Sequence, residues 1–338
     1  MTPIERIIRA EIAATGPMGV DRFMALALGH AEHGYYITRD PLGRDFTTAP
    51  EIHQMFGEMI GVWVAAHWVP GARLVELGPG RGTLAADVLR VLAKAGLAPE
   101  TWLVETSPAL RGEQARRVPT ARWAAALEEV PEGPMLLLAN EFFDALPVKQ
   151  YLRSPEGWRE RQIGLAQGRL AWGLSGALPL DLGAAPWVET SQAATQILGQ
   201  LGQRLARHGG AALIIDYGYR AADRPLGPTL QALRAGAPVD PLERAGEADL
   251  TWLLDFDGLA AALSGFDCAV ETQRAFLGRM GIGQRAAALA AATPGAAGSI
   301  ADALERLTGL DQMGQLFKVL TVLPRNQGEP AVRGEERA

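Results

Sequence analysis

Residues 74–83 read Leu-Val-Glu-Leu-Gly-Pro-Gly-Arg-Gly-Thr: an apolar strand passes through one acidic residue into a turn of three glycines, and a helical pattern follows. Glycine lets the backbone turn sharply and approach a ligand closely, because it carries no Cβ. In α/β folds such a turn after the first strand binds nucleotide-like cofactors. The stretch therefore predicts an α/β sheet with a cofactor site at its first strand, although an ordinary strand-to-helix turn has a similar composition.

The spacing of the glycines distinguishes between cofactors. A dinucleotide fingerprint is G-x-G-x-x-G/A, whereas here the glycines are Gly78, Gly80 and Gly82, and Thr83 follows. Glu76 would repel a pyrophosphate, but it can neutralise the ammonium of an amino-acid-bearing cofactor such as S-adenosylmethionine (SAM). We therefore expect SAM rather than NAD, held by Glu76, the three glycines and Thr83.

A second acidic residue follows the next predicted strand. The predicted strand over 101–105 ends in Glu105, which lies 23 residues after Gly82. An acid about 20 residues after the glycine turn binds ribose hydroxyls in nucleotide-binding α/β folds. Glu105 is thus the expected ribose ligand, and a solvated acid at a strand end is the alternative.

Composition excludes several classes of protein. The chain has 338 residues, 48% of them hydrophobic, which is enough for a substantial core. Its net charge of −6 argues against a large nucleic-acid interface. Cys268 is the single cysteine, so no intramolecular disulfide forms, and the five scattered histidines give no zinc-site spacing. We expect no nucleic-acid partner and no metal.

The sequence also predicts a cellular location. The N-terminal residues lack the apolar segment of a signal peptide, and Glu5 and Glu11 argue against a transit peptide. No apolar run approaches the ~20 residues of a membrane span. We therefore expect a cytoplasmic protein without a membrane-spanning segment.

Periodicity along the chain predicts an organisation in three parts. Residues 1–70 form a helical N-terminal region, with helices over 2–29, an ordered loop over 34–50 and a further helix to Trp68. Residues 71–324 form a Rossmann-like domain with insertions at about 151–175 and 219–251, and 325–338 form a flexible tail. The expected strands are 73–77, 101–105, 121–123, 134–139, 211–216 and 316–323, with a hairpin over 158–172.

A cluster of polar residues follows the buried strand 134–139. It reads Asn140-Glu141-Phe142-Phe143-Asp144-Ala145-Leu146-Pro147, at the carboxyl edge of the sheet where α/β folds bind ligands. Glu141 and Asp144, three apart on a turn, can present two carboxylates to one cation. A guanidinium, which is always charged and donates two parallel hydrogen bonds to a carboxylate, fits such a site. The alternative is a helix N-terminus capped by Asn140, with acids favoured by the helix dipole.

Taken together, these segments resemble the MidA-like family of class I SAM-dependent methyltransferases. The resemblance extends from about residue 30 to 285. It rests on Gly34–Tyr36, Asp45–Ile52, Phe56–Glu58, Glu76–Thr83, Asn140–Pro147, Asp216–Gly218 and Gly246–Thr251.

The resemblance implies a Rossmann-like fold with a final antiparallel strand, in which the helical N-terminal region over 1–70 covers the cofactor site. It also implies a protein arginine N-methyltransferase activity. The family includes a mitochondrial complex I assembly factor, so the implied protein substrate is a respiratory complex I subunit or its assembly intermediate. This sequence departs from the family pattern in two ways. Pro41–Arg44 leads straight into Asp45, and histidines usual near Gly236 and Leu253 are absent. These departures concern substrate specificity and catalysis, not cofactor binding.

The expected reaction is in-line transfer of a methyl group to a guanidinium nitrogen, driven by positioning and electrostatics. Glu141 and Asp144 are the expected catalytic residues, and Asp45 is a third candidate, for which an Asx turn is an equal explanation. Asn140 joins the residues that bind the cofactor. Asp216-Tyr217-Gly218 is a candidate wall of the pocket.

Two further functions are compatible with the same residues. A SAM-dependent methyltransferase of small molecules would share the fold, because fold does not determine substrate. A non-catalytic assembly factor would keep the SAM site for stability and act by binding. An NAD-dependent dehydrogenase is disfavoured by Glu76 and Thr83.

Overall fold

The structure is a computed structural model that describes residues 1–38 and 48–325. Within this part of the chain the α-helices are α1 (Pro3–Thr15), α2 (Val20–Gly29), α3 (Tyr35–Thr38), α4 (Ala49–Ile52), α5 (Met55–Ala66), α6 (Thr83–Lys94), α7 (Pro108–Arg117), α8 (Gln192–His208), α9 (Phe256–Ala262), α10 (Gln273–Arg279), α11 (Ile282–Ala292), α12 (Ala297–Thr308) and α13 (Met313–Leu316). Short 3-10 helices cover Leu127–Glu129, Ala221–Asp223 and Pro294–Ala296.

The strands alternate with these helices. They are β1 (Met18–Gly19), β2 (Arg73–Leu77), β3 (Thr101–Val104), β4 (Arg122–Ala124), β5 (Met135–Asn140), β6 (Lys149–Ser154), β7 (Gly157–Ala166), β8 (Arg169–Leu174), β9 (Trp187–Thr190), β10 (Gly210–Tyr219), β11 (Gln231–Arg234), β12 (Ala237–Val239), β13 (Asp249–Thr251), β14 (Leu254–Asp255), β15 (Asp267–Thr272) and β16 (Phe317–Leu323).

The central sheet is mostly parallel. Its strands lie in the order β15-β16-β10-β5-β2-β3-β4, and the short β14 pairs with the end of β10. Strands β4, β3, β2, β5 and β10 run parallel to one another, whereas β16 pairs antiparallel with both β10 and β15. The predicted Rossmann-like α/β fold with a final antiparallel strand is therefore confirmed.

Helices cover both faces of this sheet, which explains the continuous apolar runs of its middle strands. Alternate residues of β5 point to opposite faces: Leu137 and Ala139 pack with α1, α2 and α8, while Leu136 and Leu138 pack with α5, α6 and α12. All six residues of β5 are buried. The sheet thus holds the end of β5 rigidly at the centre of the molecule.

The predicted strands lie within one or two residues of the observed ones, except that β10 continues to Tyr219. The predicted helix ending near Trp68 is two helices, because His53 is extended and its Nδ1 accepts the N–H of Met55 at the start of α5. The hairpin over 158–172 belongs to a separate five-stranded sheet of β1, β6, β7, β8 and β9. The polar insertion contains a third sheet, β12-β11-β13, that sequence analysis missed.

The N-terminal helices pack on the sheet as the apolar spacing predicted. Thr2 caps α1 by accepting the N–H of Glu5, and Ile4, Ile8 and Ile12 are buried on one face. No helix within residues 1–38 and 48–325 combines the length and apolarity needed to cross a membrane. The division into a region over 1–70, a domain over 71–324 and a tail stays a prediction, and most of the tail lies outside the described residues.

Candidate active site

A cavity of about 540 Å³ opens at the carboxyl edge of β2, β3 and β5. Its floor is formed by the residues that follow these strands, and α2 and α3 lie across it from the N-terminal region. Met24, Leu28 and Tyr36 from these two helices are among the lining residues. The cavity therefore lies where ligands bind in open α/β sheets.

The glycine turn after β2 has the backbone conformation that the sequence predicted. Gly78, Gly80 and Gly82 have φ of 59°, 52° and 80°, which are left-handed values that favour glycine. Gly78 and Gly80 line the cavity, whereas Gly82 is the N-cap of α6 and faces Gln114. Gly82 thus shapes the turn rather than a wall of the cavity.

Thr83, the first residue of α6, has its hydroxyl group engaged by the protein. The hydroxyl donates to Glu51 of α4 and accepts from Arg117 of α7. These contacts join three helices at the side of the cavity. Thr83 lines the cavity, and its contact with the cofactor stays a prediction.

Glu76 is a buried carboxyl group at the floor of the cavity. It is 3% exposed, and its Oε2 has no hydrogen-bond partner among the described residues. Burial raises the pKa of Glu76 to about 8, while a backbone hydrogen bond from Ala85 favours the charged form. A ligand with a positive charge or a hydrogen-bond donor would satisfy this carboxyl group.

Glu105 lines the cavity directly after β3. Its carboxylate accepts the N–H of Ser107 at 2.7 Å and the amide Nε2 of Gln114 at 3.3 Å. Burial raises the pKa of Glu105. These contacts orient the carboxylate on the cavity wall, as the predicted ribose ligand requires.

Asn140 and Glu141 end β5 and line the cavity together. Glu141 has a φ of 51°, which is uncommon for a residue other than glycine. Where such backbone conformations occur, they are concentrated at functional sites. Its Oε1 accepts the N–H of Ala49 at 3.0 Å and the Nδ2 of Asn140 at 3.1 Å. The Oδ1 of Asn140 is buried and has no partner among the described residues.

The electrostatic setting of Glu141 differs from that of a surface carboxylate. Loss of solvation inside the protein, together with the neighbouring Asp216 and Asp249, raises its pKa to about 8. The carboxyl group therefore holds its proton more tightly than a surface carboxylate does. A cation placed beside it would favour the ionised form.

Asp144 lies behind this turn instead of beside Glu141. It is 3% exposed and does not line the cavity, and burial together with Asp216 and Asp249 raises its pKa. The expectation that Glu141 and Asp144 present both carboxylates to one cation must therefore be corrected for this structure. Of the two, only Glu141 lines the cavity, whereas Asp144 is buried near Asp216 and Asp249. A catalytic role for Asp144 stays a prediction.

Asp216 does not wall the cavity but holds the turn that carries Glu141. Its Oδ2 accepts the N–H groups of Phe142, Phe143 and Asp144 at 3.0–3.2 Å, and its Oδ1 accepts the N–H of Tyr217. Sequence reasoning missed this role, because nothing local links β10 to the end of β5. The signal was an acid in the last part of an otherwise apolar strand.

Tyr36 and Asp45 belong to two of the segments on which the family resemblance rests. Tyr36 lines the cavity and donates its hydroxyl to Oδ1 of Asp249 at 2.7 Å, so the insertion over 219–251 reaches the site through β13. Asp45, the third catalytic candidate, lies outside the described residues. Its role stays a prediction.

Comparison with known proteins decides the family. Residues 59–272 match a family described as S-adenosyl-L-methionine-dependent methyltransferases. The chain belongs to this family. Mouse protein arginine methyltransferase NDUFAF7, mitochondrial, is 36% identical over 97% of this chain and 86% of its own length. The Drosophila melanogaster homolog of that protein is 36% identical over 94% of this chain and 84% of its own length.

A solved structure agrees with this assignment. A superfamily member from Burkholderia thailandensis, crystallised with S-adenosyl-homocysteine, superposes with a TM-score of 0.83 at 27% identity. The match covers 95% of this chain and 91% of the other. The predicted family and the predicted cofactor, SAM, are confirmed.

The residues of the cavity fit such a cofactor. Positive-φ glycines leave room at the turn, where a Cβ on Gly78 would lie 2.6 Å from Cδ2 of Phe142. The unpartnered oxygens of Glu76 and Asn140 suit an amino group, and Glu105 suits sugar hydroxyls. NAD would place a pyrophosphate near the acid Glu76, which argues against it.

The expectation of a cytoplasmic location was wrong. The curated relatives from mouse, zebrafish and human are all named as mitochondrial proteins, which contradicts it. The acidic residues near the N-terminus were not a valid basis for that expectation, because they do not report on the location of the family.

Proposed function

We propose that this protein transfers the methyl group of SAM to an arginine side chain of a protein substrate. Glu141 carries the proposal: its carboxyl group lines the cofactor cavity, and its pKa is raised in a way that a bound cation would reverse. The curated relatives, which are named protein arginine methyltransferases and cover nearly the whole chain, support the same substrate class.

Three residues would hold the cofactor. Glu76 would pair with the ammonium of the amino-acid part, Asn140 would accept a hydrogen bond beside it, and Glu105 would bind the ribose hydroxyls. When bound, SAM supplies a methyl group on a positively charged sulfur. The protein contributes position and charge, which account for most of the rate in transfers of this type.

Glu141 would orient the guanidinium and take up its proton. A guanidinium is charged at every physiological pH, so its arrival displaces the proton of Glu141 and leaves an ion pair. When the nitrogen gains its bond to the methyl carbon, the carbon–sulfur bond breaks and the nitrogen must release one proton. The carboxylate of Glu141 accepts that proton and later passes it to solvent.

Asp144 and Asp45 have secondary parts in this proposal. Asp144, whose pKa is raised by burial and by Asp216 and Asp249, would ionise and add negative charge only with a cation nearby. Asp45 would contribute from a sequence position four residues before Ala49, whose N–H donates to Glu141. Both assignments need mutational tests of their own.

The proposed protein substrate is a subunit of respiratory complex I or an assembly intermediate, as the family resemblance implies. The test is methylation of purified complex I subcomplexes with isotopically labelled SAM, followed by acid hydrolysis and separation of methylated arginines. Labelled methylarginine with wild type and none with Glu141→Gln would support the proposal.

Other outcomes would redirect the proposal. Label in small metabolites alone would favour a small-molecule methyltransferase. If wild type binds SAM but labels neither class, and if complex I assembly survives Glu141→Gln, the protein acts as a non-catalytic assembly factor. Binding of SAM by both forms, measured by calorimetry, shows that the cofactor site is intact in the comparison.

A further inference from the structure

One end of the cavity is lined by residues to which the reaction proposed above gives no role. The carboxyl ends of β5, β2, β3 and β4 stand side by side, so Glu141, Glu76 and Glu105 follow one another across the edge of the sheet. Beyond Glu105 the wall is mostly apolar, with Leu110, Leu127 and Ile197. Such a surface suits a flat aromatic ring.

Gln200 of α8 is one of the polar residues at this end, together with Thr106, Glu128 and Gln196. Its Nε2 donates to Oε1 of Glu128 at 2.5 Å, whereas its Oε1 is buried and has no partner among the described residues. The bond to Glu128 fixes which way the amide points, because a carboxylate only accepts hydrogen bonds. Gln200 is therefore oriented as an acceptor that requires a donor.

We infer that Gln200 reads the purine of the cofactor and makes the site select adenine over hypoxanthine. This inference rests on the proposed position of the cofactor in the cavity. With the ribose at Glu105 and the amino acid at Glu76, the purine falls on the β4 side, among Leu110, Leu127 and Ile197. The 6-amino group of adenine is a donor and satisfies the Gln200 oxygen.

Hypoxanthine carries a hydrogen-bond acceptor at the position where adenine carries a donor. Its 6-oxo group is an acceptor, so it would face the Gln200 oxygen and leave both groups without a hydrogen bond. An unmade hydrogen bond in a buried site lowers affinity about tenfold, which corresponds to about 1.4 kcal/mol. Selection of roughly tenfold or more follows.

Calorimetric titration tests the inference without any methyl acceptor. The ligands are S-adenosyl-homocysteine and its deaminated analogue, S-inosyl-homocysteine. Wild type is expected to bind the adenine compound at least about tenfold more tightly. Gln200→Leu should weaken that binding about tenfold, change the binding of the inosine compound little, and bring the ratio of the two affinities near one.

The chain offers a matched control and a second variant. Gln196 lies one turn earlier on α8 and also lines the cavity, but it has no buried unpartnered oxygen, so Gln196→Leu should keep the selectivity. Glu128→Ala removes the group that orients the Gln200 amide. The amide can then turn to donate, and selectivity should fall while the adenine compound still binds. Thermal unfolding checks that each variant is folded.

The outcomes separate this inference from the proposed function. Equal affinities in wild type, or an unchanged ratio in Gln200→Leu, would overturn the role of Gln200 and leave methyl transfer untouched. Failure of folded wild type to bind either compound would overturn both the role of Gln200 and the proposed position of the cofactor.

Discussion

The carboxyl group of Glu141 combines an uncommon backbone conformation with an uncommon environment. The residue has a positive φ, and the turn that follows it is held by three backbone hydrogen bonds to Oδ2 of Asp216. Strain of this kind costs of order 1–3 kcal/mol and persists where surrounding structure enforces it. The enforcement here comes from a neighbouring strand, so the position of the carboxyl group does not depend on the loop alone.

Glu141→Gln is expected to lower methyl transfer at least about 100-fold, since a positioned proton acceptor contributes on that scale. The amide keeps the shape of the side chain but cannot accept the proton. Initial rates with labelled SAM measure the loss, and calorimetry should show S-adenosyl-homocysteine affinity within about threefold of wild type. Asp302→Asn, on the exposed surface of α12, is the control. Full activity in Glu141→Gln would exclude the carboxylate as proton acceptor.

The pKa of Glu76 predicts how stability depends on pH. The folded protein raises this pKa to about 8, above its unfolded value, so the folded state binds the proton more tightly. Between about pH 4.5 and 8 the unfolded state loses the proton first, and stability of the ligand-free protein falls as pH rises. Glu76→Gln removes this loss. Thermal unfolding at pH 5 and pH 8 should show a smaller difference for the variant than for wild type.

The same substitution should reduce binding of the cofactor, because the amide no longer neutralises an ammonium. A variant that is more stable at pH 8 yet binds S-adenosyl-homocysteine more weakly would identify a carboxyl group kept for function at a cost in stability. If Glu76→Gln binds as wild type does, the ammonium must have another partner.

At the scale of elements, the turn between β2 and α6 depends on close approach to the segment after β5. Gly78→Ala is expected to destabilise the protein by about 1–3 kcal/mol, because its φ is 59° and its Cβ would contact Phe142. Binding of S-adenosyl-homocysteine should also weaken, since the turn borders the cavity. Chemical unfolding and calorimetry measure the two effects.

Gly112→Ala provides the comparison within a helix. Gly112 lies in the interior of α7, has no positive φ, and no atom outside its own turn lies within 4 Å of the position of a Cβ. This change should be neutral or should stabilise by roughly 0.5–1 kcal/mol. Equal effects of the two substitutions would show that the glycine turn has no special requirement.

At the scale of the whole molecule, ligand binding should raise stability in proportion to occupancy. At a concentration about 100 times its dissociation constant, S-adenosyl-homocysteine should add about 2.7 kcal/mol. Differential scanning calorimetry should show a higher Tm with this compound and no change with NAD. An equal shift with NAD would contradict the assignment of the cofactor from the glycine spacing and Glu76.

The parallel core of the fold was predictable from sequence, but side-chain placement around the site was not. The strands β5 and β10 are buried on both faces. Their continuous apolar runs can be recognised in the sequence without knowing which strands pair with them. The burial of Asp144 depends on how the turn after β5 packs against Asp216, and the role of Asp216 depends on pairing between β5 and β10. Both are consequences of tertiary structure. The short strands β11, β12 and β13 lie in a polar segment without clear alternation.

The turn after β5, which begins with Glu141, depends on Asp216, and this dependence has a consequence during synthesis of the chain. Asp144 and Asp216 are 72 residues apart in the chain. At translation rates of about 5–20 residues per second, roughly 4–14 s pass between their additions to the growing polypeptide. During that interval the glycine turn and Glu105 have already been made, whereas the anchor of Glu141 has not. A ribosome-bound intermediate can therefore contain the glycine turn and Glu105 before the turn that follows Glu141 has its partner Asp216.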